Sequence, residues 1–346
     1  MTSMPEMITG GVDTHLDVHV AAALDGVGGL LGVEVFPADA KGYRALHRWL
    51  ASFGEVVLVG VEGTGSYGAG LTRHLHRQGV KVVEVDRPNR QVRRRRGKSD
   101  PSDAIAAARA AMSGDASVEA KTRTGNVETI RVLRIVRHSA RKDRTRAVNQ
   151  MRSLVSTAPE EIRHDMRGLP IAPFLERAAS FRPAGRNDVL GATKTALRML
   201  ARRALSLAEE IKALDAILDP IVEAVAPELV AQPGVGPDTA GALLVAAGDN
   251  PERLRSEASF ANLCGVSPLD ASSGKQQRHR LNRGGDRQAN SALWRVVMTR
   301  MTFDPNTQAY IARRTAEGLS KREAMRCLKR FVARDLYRHL PHPKLA

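Results

Sequence analysis

The first third of the chain alternates short apolar runs with stretches of helical spacing. Residues 8–24 are apolar with a period of two, which predicts one long strand, and residues 30–36, after a glycine-rich turn, predict its hairpin partner. Residues 56–61 form the continuous apolar run typical of a strand buried on both faces, and residues 81–85 predict a further short strand. Helical spacing occupies residues 41–53, 71–78 and 101–112. The pattern therefore predicts a mixed α/β sheet with helices on its faces.

The middle of the chain predicts two long amphipathic helices. In residues 127–155, apolar side chains recur at helical intervals while arginines occupy most of the other positions. A second pattern of this kind runs from about residue 193 to 218, and residues 159–187 between them, rich in Pro and Gly, predict no clear element. The two helices are expected to pack as an antiparallel hairpin or to pair with another protomer, as in a coiled coil. A solvated helix pair without a special role is the alternative.

The last part of the chain predicts a mainly helical region with one long polar loop. It opens with residues 233–240 (PGVGPDTA), where the turn around Gly234 and Gly236 would leave backbone N–H groups available to a phosphate. This pattern resembles a helix-hairpin-helix DNA-binding turn, although any tight turn between helices can use two glycines. We expect three domains, of residues 1–115, 116–225 and 226–346.

The net charge of the chain indicates more about its function than the rest of its composition does. The 346 residues contain 53 Lys and Arg against 37 Asp and Glu, which gives a formal charge of +16. Such an excess indicates a polyanionic partner, most simply nucleic acid, with a membrane surface as the competing reading. The sequence has neither a signal-peptide pattern nor an apolar run of about 20 residues, so we expect a cytoplasmic protein without a membrane span. Two cysteines without zinc-ligand spacing argue against a zinc site, and 4% aromatic residues argue against a stacking platform for single strands.

Two carboxylates belong to predicted strands. Asp13 lies among apolar neighbours, where an ionised carboxylate without a partner is costly, and a bound divalent cation would offset that cost. The alternative is a strand-end aspartate without a special role, or a carboxylate paired with His15 or an arginine. Glu62 ends the buried strand before a glycine-rich turn, a usual place for functional groups in α/β sheets. Its alternative is to cap the helix that follows.

Two further carboxylates, Asp100 and Asp103, lie at the start of a predicted helix. Capping alone would explain them, with Asp100 as N-cap, Pro101 at the first helical position and Asp103 three residues on. If they converge with the strand carboxylates, the four oxygen-donating groups suit Mg²⁺ or Mn²⁺, which would polarise a phosphodiester. The basic residues just before them would position phosphates, unless they are simply solvated: Arg93, Arg94, Arg95, Arg96 and Lys98.

The polar loop of residues 270–286 supplies candidate nucleophiles. Ser272 and Ser273 precede Gly274, which would let a substrate backbone approach closely. Nearby cations could hold a phosphate: Lys275, Arg278, Arg280 and Arg283. A serine nucleophile needs activation by a base or a metal, and no Ser-His-Asp pattern is visible here, since His279 is as well suited to contact DNA or water. Most loop serines are surface hydrogen-bonding groups, which is the alternative.

Six segments together resemble the family of Piv/MooV-type DNA invertases and insertion-sequence transposases. In chain order they are GVDTH (11–15), EGTGSY (62–67), KSDPSDA (98–104), PGVGPDTA (233–240), LCGVSP (263–268) and SG (273–274) followed by basic residues. The resemblance implies an RNase H-like (RuvC-like) DEDD domain, an α-helical coiled-coil region and a mainly helical C-terminal serine domain. It implies that Asp13, Glu62, Asp100 and Asp103 bind the metal. It also implies a serine that attacks DNA, which Ser273 matches best and Ser272 second.

The function implied by this resemblance is DNA strand exchange by a bacterial, nucleoid-associated transposase or site-specific recombinase with a phosphoserine intermediate. Its partners would be donor and target DNA, a structured guide RNA and further copies of the chain, as a dimer or tetramer that builds one site from different protomers. Two alternatives stay open. One is a DEDD nuclease or junction resolvase without a covalent intermediate, and the other is a basic nucleic-acid-binding protein without catalysis.

Overall fold

A computed structural model describes residues 6–85, 99–183, 188–250, 253–254, 256–272 and 279–341. The chain divides into two compact units. The first comprises Met1–Val127, Ala246–Gly285 and Pro341–Ala346, and the second comprises Glu128–Val245 and Asp286–Leu340. The three domains expected from the sequence stay a prediction.

The first unit contains a five-stranded mixed sheet. Its strands are β1 (Met7–Thr14), β2 (Val18–Leu24), β3 (Leu30–Pro37), β4 (Glu55–Glu62) and β5 (Lys81–Val85). Their order in the sheet is β3-β2-β1-β4-β5. β1, β2 and β3 pair antiparallel, whereas β1, β4 and β5 pair in parallel. The predicted mixed sheet is therefore confirmed.

The single strand predicted for residues 8–24 is wrong, because the chain reverses within it. β1 ends at Thr14 and β2 begins at Val18, and the two pair as a hairpin in which Thr14 lies opposite His19. The His15 amide donates to the Val18 carbonyl at 3.0 Å and closes the turn. The turn contains neither Gly nor Pro, the residues that usually mark a turn in a sequence, so the period-two pattern runs through it.

Helices cover both faces of the sheet, as predicted. α1 (Ala40–Ala51) and α2 (Ala69–Arg77) bury leucines against the face that carries Ile8 and Val12 of β1. α3 (Asp100–Ser113) lies on the other face, where Ala104 packs with residues of β2. Successive strand residues point to opposite faces, so the odd-numbered residues of β1 face α3.

Two long helices dominate the second unit, and both extend the predicted ones. They are α4 (Asn126–Ser156) and α7 (Val189–Val225), and the stretch between them forms two short helices, α5 (Glu160–Met166) and α6 (Ile171–Ala179). All four contribute to one apolar cluster. The Arg137 guanidinium of α4 donates to the Asp215 carboxylate of α7, with Nη2 and Oδ2 3.2 Å apart. The two helices therefore contact each other within one chain, and pairing with a second protomer stays a prediction.

The predicted helical C-terminal region is confirmed. Its helices are α8 (Pro227–Val230), α9 (Pro237–Ala247), α10 (Glu257–Leu263), α11 (Arg287–Phe303), α12 (Pro305–Ala316) and α13 (Lys321–Tyr337). β6 (Leu269–Asp270) and β7 (His279–Arg280) form a short antiparallel ladder at the polar loop of residues 270–286, which we call the serine loop. In the part of the chain described, none of the helices is long and apolar enough to cross a membrane.

Candidate metal centre

Close packing of α3 on the sheet sets the geometry of the site. Gly11 of β1 lies opposite Gly60 of β4 in the parallel register. A Cβ atom on Gly11 would lie 2.1 Å from the Ala108 amide nitrogen, and one on Gly60 would lie 2.6 Å from the Ala107 carbonyl oxygen. The helix therefore contacts the strands at a distance that only glycine permits, and its first turn is held near the carboxyl ends of β1 and β4.

This packing predicts a large effect of one added methyl group. In Gly11→Ala the new Cβ meets backbone atoms of α3, which cannot rotate away, so we expect the free energy of unfolding to fall by about 3 kcal/mol. Urea unfolding of the full chain measures the change. Gly26→Ala is the matched control, because its Cβ would be 3.9 Å from the nearest heavy atom, the Met7 carbonyl oxygen. Equal stability of the two variants would contradict the close packing of α3.

Asp13 and Glu62 lie on the α3 face, each two residues beyond one of these glycines. Because Val12 pairs with Val61, the strand period places both carboxylates at the same edge of the sheet. Both residues are buried, with 6% of Asp13 and 9% of Glu62 exposed. The N-terminal cap of α2 is Gly68, so the alternative that Glu62 caps this helix is wrong.

The start of α3 is capped by Ser99, and the expectation that Asp100 caps it is wrong. Ser99 is extended, and its hydroxyl accepts a hydrogen bond from the Ser102 amide at 3.4 Å. The Asp103 amide donates to the Ser99 carbonyl, so Asp103 is the fourth helical residue and not the third. Serine caps as well as aspartate does and stands one residue earlier. Capping therefore does not explain Asp100 or Asp103.

Three side chains from these elements converge: Asp13, His15 and Asp100. Nε2 of His15, in the turn after β1, is 3.1 Å from Oδ2 of Asp13 and 3.6 Å from Oδ2 of Asp100. One ligand atom of each residue lies within 4.8 Å of those of the other two. The sequence analysis gives a pairing of Asp13 with His15 as the alternative to a metal role, and this contact is present, but it does not predict His15 as a member of a metal site. Its position two residues after Asp13 was the available signal.

The electrostatics of Asp13 favour a bound cation. Burial raises the pKa of the Asp13 carboxyl, His15 lowers it, and the negative charges of Asp103 and Asp100 raise it again. A positive ion would offset both the burial and the repulsion among the carboxylates. Carboxylate oxygens and an imidazole nitrogen are also common ligands of divalent metals. The residues thus fit a divalent cation, with Asp13 as its most buried ligand.

The other predicted site residues are not members of this three-residue cluster, and some of them lie outside the described residues. Outside them are Arg93, Arg94, Arg95, Arg96, Lys98, Ser273, Lys275 and Arg278. In the serine loop, Ser272 is exposed and its amide donates to the Asp270 carboxylate at 2.8 Å, and Arg280 and Arg283 are exposed. Gly234 and Gly236 lie in the turn between α8 and α9, where the amides of Thr239 and Ala240 already donate to the Gly236 carbonyl. Their contacts with nucleic acid stay predictions.

Two models of one transposase family match the chain in order. The DEDD model for IS110, described as a transposase, matches residues 10–158, which contain all four predicted carboxylates. A second model, described as transposase IS116/IS110/IS902 family, matches residues 227–312, which contain the Gly-x-Gly turn and the serine loop. Together the two matches extend over more than half of the chain.

The chain is also similar to the insertion element IS110 uncharacterized 43.6 kDa protein of Streptomyces coelicolor. The two sequences are 33% identical over 134 residues, which is 38% of this chain. The match covers 33% of the relative, so the chain spans about a third of that protein's length. Kinship with the Piv/MooV invertases stays a prediction. The two family matches, in the order in which the motifs occur, show that the chain belongs to the IS116/IS110/IS902 family of transposases.

Proposed function

We propose that this protein is a DNA transposase that cleaves and exchanges DNA strands with a metal-bound carboxylate site. The observation that carries the proposal is the convergence of Asp13, His15 and Asp100 at the end of β1, beside Glu62. Membership of a transposase family supports the same activity. Donor and target DNA are the proposed substrates.

In this proposal Asp13 and Asp100 hold the metal, while Glu62 and Asp103 complete the DEDD set. A bound Mg²⁺ or Mn²⁺ would polarise the scissile phosphodiester and stabilise negative charge on its oxygens. Nε2 of His15, 3.1 Å from Oδ2 of Asp13, would join Asp13 and Asp100 as a ligand of the metal. Asp100 is about half exposed, which leaves one side of the cluster open to a substrate.

We further propose that the sheet unit has an RNase H-like, RuvC-like fold. Its mixed five-stranded sheet, with helices on both faces and carboxylates at strand ends and at a helix start, supports this assignment. The long helices α4 and α7 would form the coiled-coil region through which protomers assemble as a dimer or tetramer. In sequence terms the domains are then residues 1–115, 116–225 and 226–346.

The serine chemistry is proposed from the resemblance. Oγ of Ser273 would attack a DNA phosphorus and form a phosphoserine bond, while the bond to the leaving sugar oxygen breaks and that oxygen takes up a proton. The charge of +16 supports nucleic acid as the partner, and a structured guide RNA would supply sequence specificity by base pairing. A bacterial cytoplasmic protein associated with the nucleoid would fit this activity.

The test is cleavage of DNA that carries the ends of the element flanking this gene. With Mg²⁺ or Mn²⁺ the full chain should nick this DNA, and chelation of the metal should stop the reaction. Denaturing gels then decide between the two enzymatic readings. A covalent protein–DNA species supports the recombinase, whereas free ends alone support the DEDD nuclease or junction resolvase, which the same carboxylates would serve. Binding without any metal-dependent cleavage would leave the non-catalytic alternative.

A further inference from the structure

The second unit contains a strongly basic cavity that is separate from the carboxylate cluster. Its volume is about 290 Å³, and residues of α4, α9 and α11 line it. The charged lining residues are Arg134, Arg137, Arg141, Lys142, Arg295 and Asp238. We call this space the arginine cavity. Four of its cations lie on α4, and the fifth, Arg295, comes from α11, more than 150 residues further along the chain.

The Asp238 carboxylate forms ion pairs with four of these arginines. Arg134 and Arg137 donate to Oδ1 of Asp238 at 2.6 and 3.0 Å, and Arg295 donates to Oδ2. Arg141 approaches Oδ2 at 3.6 Å. Burial raises the pKa of Asp238, but the charges of Arg134, Arg295 and Arg137 outweigh it and hold this pKa at about 2. Asp238 is therefore ionised at neutral pH and acts as the anchor of the cluster.

Positive charge remains in excess around this anchor. The described lining has five cations against Asp238, and the excess is still two after the neighbouring carboxylates Asp215 and Asp219, which both interact with Arg137, are included. Arg134 and Arg137 are only 15% and 14% exposed, so their mutual repulsion is weakly screened by solvent. Nε of Arg295 is buried without a hydrogen-bond acceptor among the described residues. An anion in the cavity would relieve the repulsion and supply further acceptors.

The chemistry of the lining selects the kind of anion. A guanidinium group is planar and binds two phosphate oxygens through paired hydrogen bonds. Its donor geometry therefore fits a phosphate better than the single ammonium group of a lysine does. The remaining described lining residues are polar: His138, Thr145, Gln288 and Ser291. With only polar and charged side chains in this lining, the cavity suits a phosphate better than a stacked base. Arg141 and Lys142 are exposed at the mouth of the cavity, where a nucleic-acid strand can reach them.

We propose that the arginine cavity binds a backbone phosphate of a nucleic-acid strand. The site recognises the phosphodiester, which DNA and RNA share, so it contributes affinity and register but no base sequence. None of the predicted DEDD residues and neither candidate serine belongs to its lining. The inference does not depend on cleavage, since a phosphate contact requires neither the metal nor the serine.

The test compares two double variants of α4 that remove the same charge. Arg141→Gln with Lys142→Gln lowers the charge at the cavity mouth, while Arg146→Gln with Arg152→Gln does so at exposed positions of the same helix outside the described lining. Binding of the full chain to labelled duplex DNA and to single-stranded RNA is measured by anisotropy, with chelator present, at several salt concentrations. Unfolding curves check that each variant is folded.

We expect the cavity variant to bind about 10-fold more weakly and its log–log salt slope to fall by about 1 to 2, against a change of at most about 2-fold in the control. A loss with DNA alone, with RNA alone or with both supports the site and identifies its strand. Ser291→Glu, which adds a negative charge to the lining, should weaken binding in the same way. If the cavity variants bind like the control pair on both nucleic acids, the proposal is wrong, whatever the result of the cleavage assay.

Discussion

Asp13→Asn is expected to lower the rate of metal-dependent DNA cleavage about 1,000-fold or more while most DNA binding remains. The amide has nearly the same shape as the carboxylate but lacks the charge that holds a divalent cation. Loss of the cation removes several kcal/mol of transition-state stabilisation, and each 1.4 kcal/mol corresponds to a factor of ten in rate. Because Asp13 is 6% exposed, it contributes little to the surface that a DNA duplex contacts.

Asp17→Asn is the matched control for this prediction. Asp17 lies in the same turn as His15, undergoes the same chemical change and is exposed outside the three-residue cluster. Cleavage is measured on element-end DNA, binding is measured in chelator, and Mn²⁺ binding is measured by calorimetry. We expect weaker Mn²⁺ binding only in Asp13→Asn. Full metal-dependent cleavage by Asp13→Asn would exclude this aspartate as a required ligand.

Ser273→Ala is expected to abolish the covalent protein–DNA species, because the methyl side chain has no oxygen to attack phosphorus. Ser272→Ala is the control, because Ser272 is the adjacent residue and loses the same hydroxyl group. The Ser272 amide already donates to Asp270, which a change of side chain leaves intact. Both variants are incubated with a suicide DNA substrate that traps the intermediate, and the adduct is measured on denaturing gels.

The two serine variants separate three outcomes. Loss of the adduct in Ser273→Ala alone supports the proposed nucleophile, and loss in Ser272→Ala alone moves the role to its neighbour. An adduct in both single variants excludes a required role for either serine. If the native chain cuts DNA and forms no adduct, the nuclease reading replaces the recombinase. The carboxylate site would then act without a serine.

Local pattern predicted most of the secondary structure because strands and helices each impose a period on apolar residues. The buried run of β4, the strand β5 and both long helices of the second unit follow from it. The turn at His15 was missed because its residues resemble those of the flanking strands. The short helices α5 and α6 were missed because prolines precede them, although Pro159 and Pro170 stand at their N-terminal caps, where proline is tolerated.

The sequence by itself determined the mixed α/β order, the basic charge, the family and the identity of the acidic candidates. Only the tertiary structure decided which of them meet. The contact of Asp13 with His15 is local, but the approach of Asp100 depends on the packing of α3 against Gly11, which local spacing does not encode. The same holds for Asp238, where arginines from two other helices converge on one carboxylate. Short-range pattern specifies elements, whereas sites arise where elements pack.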